Sequence, residues 1–513
     1  MVLNAVVAFW TTNAPKKPET MQRKLPLKSV ELDKFLVSIR ERIPFKEICA
    51  NPFLYLVKPT EENLSKYTFH RPDGYLFYIF DLLTFGLRII LNVAITICVS
   101  ILRSWQNLPW DIHLQHKKEI LFISHFTKAQ DTSKEDTYLG SLVNPQQDFI
   151  FYLNHTRINA QKISSRFEEQ GKFNFAVNSK SLSPNQTFIV QISQMRVSGW
   201  LFLKSLPTSR QNIGERRLML RAAIWQHSRA TMSNFTLKNR LARTILKLEP
   251  NFLVLPLEGH AHEAMIMNLR ENKFKDLRIV GYQHAPVVPG QMNLKYIIHM
   301  LNDCDYCLTT GEIVKMQLFQ ANTKCKMQVI GTPKSQHSGL PAKDYSRIKV
   351  LVAPEGNKDS ILKFITLIKE LSHLLPWINF VLRPHPGFEG LNSRTLSKTL
   401  IDYPNIEMSI SDLSADLSNS HFVLFRSSAV GIQGLLYGNQ PIHWDYFGND
   451  LLNPFSQTNF NVISGKDALE IASLLSKFDI ESLKSHEFQN KCSIFFNSYF
   501  SECQNLRQVL NIL

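Results

Sequence analysis

The sequence predicts an α/β protein with two domains, each built on a parallel β-sheet. Three observations predict this fold: the length of 513 residues, the short apolar runs that stop at polar residues, and the helical segments between those runs. A chain of this length exceeds what one hydrophobic core usually supports, so two domains are expected. Strands that alternate with helices indicate parallel βαβ units, whose ligands bind at the carboxyl ends of the strands.

The composition is that of a folded protein with anionic partners. Hydrophobic residues make up 44% of the chain, charged residues 20%, and the formal net charge is +15. Sugar nucleotides and acidic lipid surfaces suit this charge, whereas nucleic acid is not expected because the basic residues form no stripe interleaved with aromatics. Seven cysteines without Cys-x-x-Cys spacing argue against a disulfide framework and favour a reducing compartment. No secretion signal is predicted, so we expect a cytoplasmic protein.

Residues 1–115 are predicted to form an N-terminal extension with an apolar helix. From Gly74 to Leu102 the chain is interrupted only by Asp81 and Arg88, and its uncharged core begins at Ile89. A bilayer-spanning helix needs about 20 apolar residues, so this shorter core predicts a helix that lies on or dips into a membrane. The alternative is a core helix that packs on the two domains.

Residues 116–340 are predicted to form the first domain. Its expected strands are Leu121–Ser124, Phe188–Ile192, Phe252–Leu257, Arg278–Tyr282 and Tyr306–Thr309. Helical pattern lies between them, notably over Glu215–Leu248 and His262–Glu271. A polar linker is expected at 334–347.

Residues 341–480 are predicted to form the second domain, and 481–513 to form helices that pack back on the first. Its expected strands are Lys349–Val352, Phe380–Leu382, Ile406–Ile410, Phe422–Phe425 and Pro441–Trp444. Each is a short apolar run that stops at polar residues, as parallel strands do.

Two motifs of the second domain predict a phosphate site. In Arg383-Pro384-His385-Pro386 the prolines end the strand and restrict the imidazole, which is then placed to bind a phosphate oxygen or protonate a leaving group. Arg383 adds a charge that suits phosphate. Ser427 and Ser428 precede a predicted helix, where hydroxyls and free amides bind anions. A locally satisfied histidine and a plain helix cap are the alternatives.

Further turns at strand ends contribute candidate residues. Glu355 and Gly356 open the second domain after its first strand, and we expect them to face the nucleotide. Gln283 and His284 follow a strand of the first domain and are expected to contact donor or acceptor, although a capping role is an equal alternative.

Glu258 is the candidate general base. It follows the strand Phe252–Leu257 and is placed to take a proton from an acceptor hydroxyl, with Gly259 allowing close approach. The alternative is a metal site, because His260, His262 and Glu263 with Glu258 are plausible ligands. No Walker-type loop and no dinucleotide Gly-x-Gly-x-x-Gly motif occurs in the sequence.

The order of these motifs resembles that of two-domain glycosyltransferases with the GT-B fold, in particular bacterial sialyl- and polysialyltransferases and Kdo transferases. Leu257-Glu258-Gly259, His385-Pro386 and Ser427-Ser428 stand where that family has an acidic-acidic-Gly, a His-Pro and a Ser-Ser motif. Leu257 departs from the pattern, which has an acidic residue there.

The resemblance implies two Rossmann-like domains facing a central cleft. It also implies Glu258 as base, His385 as phosphate ligand and acid, and the two serines as phosphate ligands. The reaction would need no metal or cofactor. It would join a nucleotide-sugar donor, with a CMP-sugar as one candidate, to a lipid-linked or surface glycan at the inner membrane.

Two other functions stay open at this stage. Sugar-nucleotide 2-epimerases share the two-domain plan, and Ser428 to Gly434 partly matches their helix start but lacks the acidic residue after Gln433. A non-catalytic partner in polysaccharide assembly would explain Leu257 and the apolar extension. The sugar, the linkage, the acceptor and the oligomeric state do not follow from the sequence.

Overall fold

The computed structural model describes most of the two predicted domains and part of the extension. It covers residues 46–55, 74–104, 117–126, 138–154, 160–169, 174–178, 182–206, 213–288, 300–319, 325–333, 343–356, 358–385, 393–446, 452–456 and 458–512, with positions 36, 136, 158, 297 and 450. Most of the predicted extension, the linker up to residue 342, and Pro386 of the His-Pro motif lie outside the described residues.

The first domain contains a seven-stranded parallel sheet in the order β3-β2-β1-β4-β5-β6-β7. Its strands are β1 Ile120–Phe126, β2 Phe149–Asn154, β3 Phe175–Val177, β4 Phe252–Pro256, β5 Arg278–Gln283, β6 Tyr306–Thr309 and β7 Lys326–Val329. Strands β1 and β4 are buried along their whole length, which is why they are continuous apolar runs in the sequence. They lie side by side, with Ile120 opposite Phe252, and the strand order reverses between them.

The second domain repeats this plan with six parallel strands in the order β10-β9-β8-β11-β12-β13. These are β8 Lys349–Val352, β9 Asn379–Leu382, β10 Ile406–Met408, β11 Phe422–Phe425, β12 Gln440–Trp444 and β13 Ile463–Gly465. Here the order reverses between β8 and β11. The predicted fold class, a GT-B-like α/β protein with two Rossmann-like parallel sheets, is confirmed.

Helices connect the strands and cover both faces of the sheets. They are α1 Gly74–Ser104, α2 Ala160–Glu169, α3 Pro184–Ser205, α4 Ile213–Trp225, α5 Arg229–Leu248, α6 Ala261–Lys273, α7 Glu312–Phe319, α8 Lys358–Leu374, α9 Ser393–Leu400, α10 Leu413–Ser418, α11 Val430–Gln433, α12 Ala468–Ser476, α13 His486–Tyr499 and α14 Leu506–Val509. Short 3₁₀ segments include Lys46–Ala50, Pro52–Leu54, Gly140–Leu142, Gly434–Tyr437 and Ile480–Lys484.

The predicted strand Phe188–Ile192 is wrong, because these residues lie in α3. The buried residues around this segment are Thr187, Gln191 and Gln194, at the helical spacing of four and three. Since those residues are polar, the apolar residues between them suggested a strand instead.

The predicted helix Glu215–Leu248 is two helices, α4 and α5. The break falls at Gln226–Ser228, where the Ser228 hydroxyl accepts the backbone N–H of Thr231 at 3.2 Å and starts α5. The imidazole of His227 is buried in the same break and contacts Ser198 of α3 at 2.8 Å. The helical pattern is therefore interrupted where His227 is buried against α3.

The C-terminal segment returns to the first domain. Backbone N–H groups of Ser501 and Gln504 donate to carbonyls at the ends of β6 and β7, each at 2.8 Å. Arg507 then forms ion pairs of 2.8 Å with Glu119 and 2.7 Å with Asp148. Residues beyond α13 are therefore part of the first domain's packing, although they follow the second in the chain.

Candidate functional site

Each sheet has one point at which its strand order reverses, and polar residues follow the central strands at both points. In open α/β sheets, ligands bind outside the carboxyl ends of the strands at such a switch point. His125 and Glu258 stand at the ends of β1 and β4 in the first sheet. Glu355 and Arg426 follow β8 and β11 in the second. The topology alone therefore selects two clusters of polar side chains. We call them the Glu258 cluster and the Glu355 cluster, after the carboxylate in each.

The Glu258 cluster consists of one carboxylate between two imidazoles. Oε2 of Glu258 lies 3.0 Å from Nε2 of His260, and Oε1 lies 3.2 Å from Nε2 of His284. In each contact an imidazole N–H donates to the carboxylate, so Nδ1 of a neutral ring carries the lone pair. His260 is 35% exposed and Glu258 27% exposed, whereas His284 is 7% exposed. The cluster is therefore open to solvent on the His260 side.

A second carboxylate holds the loop that carries Glu258. The side chain of Glu263 accepts the backbone N–H groups of Glu258, at 3.0 Å, and Gly259, at 2.8 Å. Gly259 has a φ of +82°, a conformation that favours glycine. Burial, together with the charge of Glu258, raises the pKa of Glu263 to about 7 in spite of these bonds and the charge of His260. Glu263 is therefore a positioning residue whose charge changes near neutral pH.

Aromatic and imidazole rings form the walls around Glu258. The rings of His125 and His262 meet edge to face at 5.6 Å, and those of Tyr138 and His284 at 5.2 Å. His260 stacks on His262 at 5.2 Å. Burial and the nearby charge of Glu258 raise the pKa of Tyr138 to about 12, so its hydroxyl stays protonated. Four imidazoles thus lie in this part of the structure, and two of them contact the Glu258 carboxylate.

Several buried polar atoms of this edge have no hydrogen-bond partner within the described residues. They are Oγ of Ser124, Oε1 of Gln283 and Nδ1 of His284. Buried polar atoms in folded proteins are nearly always paired, so unpaired ones at a sheet edge indicate where a ligand's polar groups would bind. Sequence reasoning selected Gln283 and His284 but missed Ser124, His125 and Tyr138, whose signal was their position around the first strand of the sheet.

The electrostatics of Glu258 change the role that the sequence suggested. Burial alone would raise its pKa, but the hydrogen bonds and charges of His260 and His284 outweigh burial and hold the pKa well below its ordinary value. A carboxylate with so low a pKa is a weak proton acceptor. It is instead suited to orient an imidazole and to stabilise the imidazolium that forms when that ring takes a proton.

The Glu355 cluster is a closed ion pair. Oε1 and Oε2 of Glu355 accept Nε and Nη2 of Arg426 at 2.9 and 3.1 Å, in the two-pronged geometry that guanidinium favours. Oε1 also accepts the Ser427 hydroxyl at 2.9 Å, and Ser360 donates to Oε2. Burial alone would raise the pKa of Glu355, but the charge and hydrogen bonds of Arg426, together with the Ser360 hydroxyl, lower it to about 2. Glu355 therefore fixes the Arg426-Ser427 turn.

The expectation that Glu355, Ser427 and Arg383 bind the nucleotide stays a prediction, and all three have partners within the protein. Glu355 and Ser427 are hydrogen-bonded to each other. The guanidinium of Arg383 is held by Asp416, at 2.7 Å, and by Ser409, at 3.0 Å. Each of these contacts uses Nη1 of Arg383, and the Arg383 side chain is half-buried.

His385, Gly356 and Ser428 remain at the accessible part of this edge. His385 is exposed, and a Cβ at position 356 would lie 2.9 Å from its Nδ1, so the absence of a side chain there lets the ring lie against the loop. The Ser428 hydroxyl accepts the backbone N–H of Val430 at 3.3 Å. His385, Gly356 and Ser428 stay candidates for contact with a ligand.

One buried hydrophobic cluster joins the loops that follow the two switch points. Val287, three residues after His284, belongs to the same cluster as Phe425 and Ile432, which flank Ser427 and Ser428. Tyr499 of α13 is a member as well and donates its hydroxyl to the Val287 carbonyl at 3.4 Å. Packing therefore connects the carboxyl edges of the two sheets.

The metal interpretation of the Glu258 loop has no support in the geometry. Among the described residues, the set whose ligand atoms lie within 4.8 Å of one another is His443, Asp445 and Asp450, at the end of β12. His260 and Glu258 are paired with each other, and His262 lies 3.9 Å from Glu263.

Comparison with known proteins adds structures of low similarity. No protein-family model and no curated protein sequence matches the chain. A structure of MnaA from S. aureus with UDP is 11% identical, with a TM-score of 0.47 over 77% of this chain and 98% of that chain. The UDP-GlcNAc 2-epimerase of Neisseria meningitidis bound to UDP-GlcNAc is 10% identical, with a TM-score of 0.46 over 75% and 96%.

A structure of TarM from S. aureus is 13% identical, with a TM-score of 0.37 over 55% of this chain and 59% of that chain. The resemblance to sialyl- and Kdo transferases stays a prediction, and the two-domain fold rests on the sheet orders described above.

Proposed function

We propose that the chain is a glycosyltransferase that moves a sugar from a nucleotide-activated donor to an acceptor hydroxyl. The observation that carries the proposal is the difference between the switch points of the two sheets. One has a carboxylate–imidazole cluster suited to proton transfer, and the other has a fixed turn with accessible hydroxyl and imidazole groups suited to an anion. Glycosyl transfer from a nucleotide needs both kinds of site on either side of the sugar.

The donor phosphate would bind at the second domain. His385 and the Ser428 hydroxyl would donate to phosphate oxygens, and the Glu355–Arg426 ion pair would keep the turn that carries Ser428 in one shape. When the bond between the anomeric carbon and the phosphate oxygen breaks, negative charge develops on that oxygen. Donors fixed in advance around it stabilise the transition state without reorganising.

The acceptor would bind at the first domain. Its hydroxyl oxygen forms the new bond to the anomeric carbon, and its proton passes to Nδ1 of His260, whose Nε2–H remains bonded to Glu258. The carboxylate stabilises the resulting imidazolium. This assignment keeps Glu258 essential but makes His260 the residue that takes the proton. We propose a lipid-linked or surface glycan acceptor, at the cytoplasmic face of the inner membrane.

A 2-epimerase acting on a sugar nucleotide is the second candidate. The observation that favours it is the number of imidazoles: Glu258 contacts two rings, and an epimerase needs one group to remove a proton from carbon and another to return it on the opposite face. A transferase needs only one base. The two reactions share the donor site and differ in whether an acceptor is required.

The deciding experiment is product analysis with the purified full-length chain. A panel of uridine and cytidine nucleotide sugars would first be screened by thermal shift, because a ligand that binds the folded state raises its melting temperature. Each ligand found would then be incubated with and without a glycolipid extract.

Nucleotide release that depends on the extract supports transfer. Conversion of the sugar without the extract identifies the epimerase and overturns the transferase. Nucleotide binding with neither reaction would favour a non-catalytic assembly partner.

A further inference from the structure

Two helices of the first domain, α1 and α3, expose many large apolar side chains to solvent. Thirteen of the twenty-five exposed large hydrophobic side chains among the described residues lie on these two helices. We call this surface the apolar face; its members are Phe80, Leu83, Leu87, Ile90, Leu91, Ile95, Ile101, Leu102, Phe188, Ile189, Ile192, Met195 and Leu203. Leu83 is 78% exposed and Ile189 65% exposed. A helix of a water-soluble domain normally presents the opposite pattern.

Several polar side chains of the same helices are buried and take part in hydrogen bonds. Ser100 of α1 accepts the hydroxyl of Thr187 of α3 at 3.0 Å. The buried imidazole of His227 contacts Gln191 at 2.6 Å and Ser198 at 2.8 Å, and burial lowers its pKa to about 4. The buried side of α3 thus combines hydrogen-bonded polar residues with the apolar Val197 and Leu201, and its outward apolar residues lie on the opposite side of the helix.

Hydrogen bonds attach α1 to the domain along most of its length. The Tyr78 hydroxyl donates to the Ser205 carbonyl at 2.8 Å, the Asn92 amide to the Ile224 carbonyl at 3.2 Å, and the Ser100 hydroxyl to the Leu182 carbonyl at 2.8 Å. These contacts extend over 22 residues, or about 33 Å of helix. The segment Tyr78–Leu102 is long and apolar enough to cross a bilayer. In this fold it lies along the domain surface instead.

The helices around the apolar face are strongly basic. Helices α1, α3, α4 and α5 together contain twelve arginine or lysine residues and two acidic residues, Asp81 and Glu215. Their net charge of +10 compares with +15 for the whole chain. Asp81 is itself neutralised by Arg88 and Arg217 at 2.7 and 2.8 Å. An apolar surface carried by a group of basic helices is complementary to a membrane with anionic headgroups.

We propose that α1 and α3 form a monotopic membrane-docking surface for an anionic phospholipid bilayer. Both helices would lie parallel to the membrane plane, with the apolar face among the upper acyl chains. This goes beyond the single membrane helix expected from the sequence, because it adds α3 and fixes the orientation of α1. The proposal does not depend on which reaction the chain catalyses.

Vesicle flotation of the full-length chain tests the surface. We expect binding to vesicles of phosphatidylglycerol and phosphatidylethanolamine, weaker binding to phosphatidylcholine alone, and a loss of the electrostatic part at high salt. Replacing Leu87 and Ile90 by Glu, or Ile189 and Ile192 by Glu, should each lower the bound fraction about tenfold or more. The matched control is Ile401→Glu with Leu469→Glu, which changes two exposed residues elsewhere; they are 79% and 69% exposed.

Cys98 of α1 is exposed, so a fluorophore attached to it can report the orientation of the helix without a substitution at that position. A fluorophore on Cys98 and one on Leu83→Cys, made in a Cys98→Ser background, lie 15 residues or about 22 Å apart on the helix. A helix parallel to the membrane places both at the same shallow depth, so brominated lipids should quench the two equally. A spanning helix would place them at different depths.

Three outcomes would overturn the proposal: no binding to anionic vesicles, equal loss of binding in the control variant, or unequal quenching depths. Self-association that the α1 variants abolish, without any lipid binding, would identify the occupant as a second copy of the chain. Circular dichroism of every variant would confirm that the fold is retained. Because lipid binding is measured without substrate, failure here leaves the proposed reaction untouched.

Discussion

The two sheets each place a glutamate at the point where their strand order reverses, and the two glutamates differ in their partners. Glu258 is hydrogen-bonded to two imidazoles, a side chain that can act as acid and as base, and it is 27% exposed. Glu355 is hydrogen-bonded to a guanidinium, a side chain that only donates, and it is 10% exposed. The comparison indicates that one switch point is built for proton transfer and the other for a fixed shape.

The largest expected effect is the loss of stability on breaking the closed Glu355–Arg426 ion pair. Replacing Arg426 by Met leaves the buried carboxylate of Glu355 without its counter-charge, which should lower the free energy of unfolding by about 3–5 kcal/mol. The double variant Glu355→Gln, Arg426→Met should recover most of this loss. Urea unfolding would measure both.

The control is Arg270→Met, since Arg270 and Asp305 form a 3.0 Å pair that is 27% and 29% exposed. It should cost about 1 kcal/mol or less. Equal losses in Arg426→Met and Arg270→Met would contradict the interpretation of Glu355–Arg426 as a closed, buried ion pair.

Substitutions in the open Glu258–His260 pair should lower the activity rather than the stability. Glu258→Gln removes the charge that stabilises the His260 imidazolium, and we expect turnover to fall about 10³-fold. His260→Ala should cause a loss of the same order. Glu312→Gln on α7 is the control, because it removes an exposed carboxylate far along the chain from the loop. A variant at Glu258 that keeps full turnover would contradict the proposed role.

The pH dependence of stability should differ between the two sites. The pKa of Glu263 rises on folding to about 7, so its contribution to stability is fully present below the ordinary pKa of 4.5 and is lost as the pH rises through 7. Glu355 shows the reverse: its contribution is present above 4.5 and is lost as the pH falls through about 2.

Between pH 4.5 and 7 the free energy of unfolding of the unchanged chain should therefore fall by about 2–3 kcal/mol through Glu263. The Glu263→Gln variant should lack this part of the decrease. Denaturant titrations at several pH values would test this. Parallel curves for the two proteins would show that Glu263 is not the titrating group.

The smallest expected effect concerns Ser428. Replacing it by Ala removes one donor to the phosphate, so nucleotide affinity should fall about 5–10-fold, with a change in stability of about 1 kcal/mol or less. Ser427→Ala should show the opposite balance, because Ser427 is bonded to Glu355: a stability loss of about 1 kcal/mol and little change in affinity. Calorimetric titration with the nucleotide found in the thermal-shift screen would separate them. Identical behaviour of the two variants would contradict the assignment of one serine to the ligand and one to the ion pair.

The sequence predicted those parts of the fold that depend on local pattern. Buried parallel strands such as Phe252–Pro256 and Phe422–Phe425 are continuous apolar runs, and their ends locate Glu258 and Ser427 at the right edge of each sheet. Hydrophobic periodicity gave the wrong prediction at α3. Such a pattern assumes that the apolar residues of a helix face the core, whereas α3 exposes many of them.

Side-chain partnerships could not be predicted, because they depend on contacts between distant residues. Glu355 meets Arg426 after 71 residues, and Arg383 meets Asp416 after 33. Nothing near Glu355 in the sequence shows that its charge is already neutralised. In the same way, the position of His125 beside the Glu258 loop follows only from the strand order, which brings β1 next to β4.

The central claim, that one switch point handles the proton and the other holds the nucleotide, is tested most directly by measuring nucleotide affinity and turnover together in Glu258→Gln and His385→Ala. We predict that Glu258→Gln binds the nucleotide as tightly as the unchanged chain but loses turnover, whereas His385→Ala loses both. Loss of nucleotide binding in Glu258→Gln, or undiminished binding in His385→Ala, would contradict the division of roles between the two sheets.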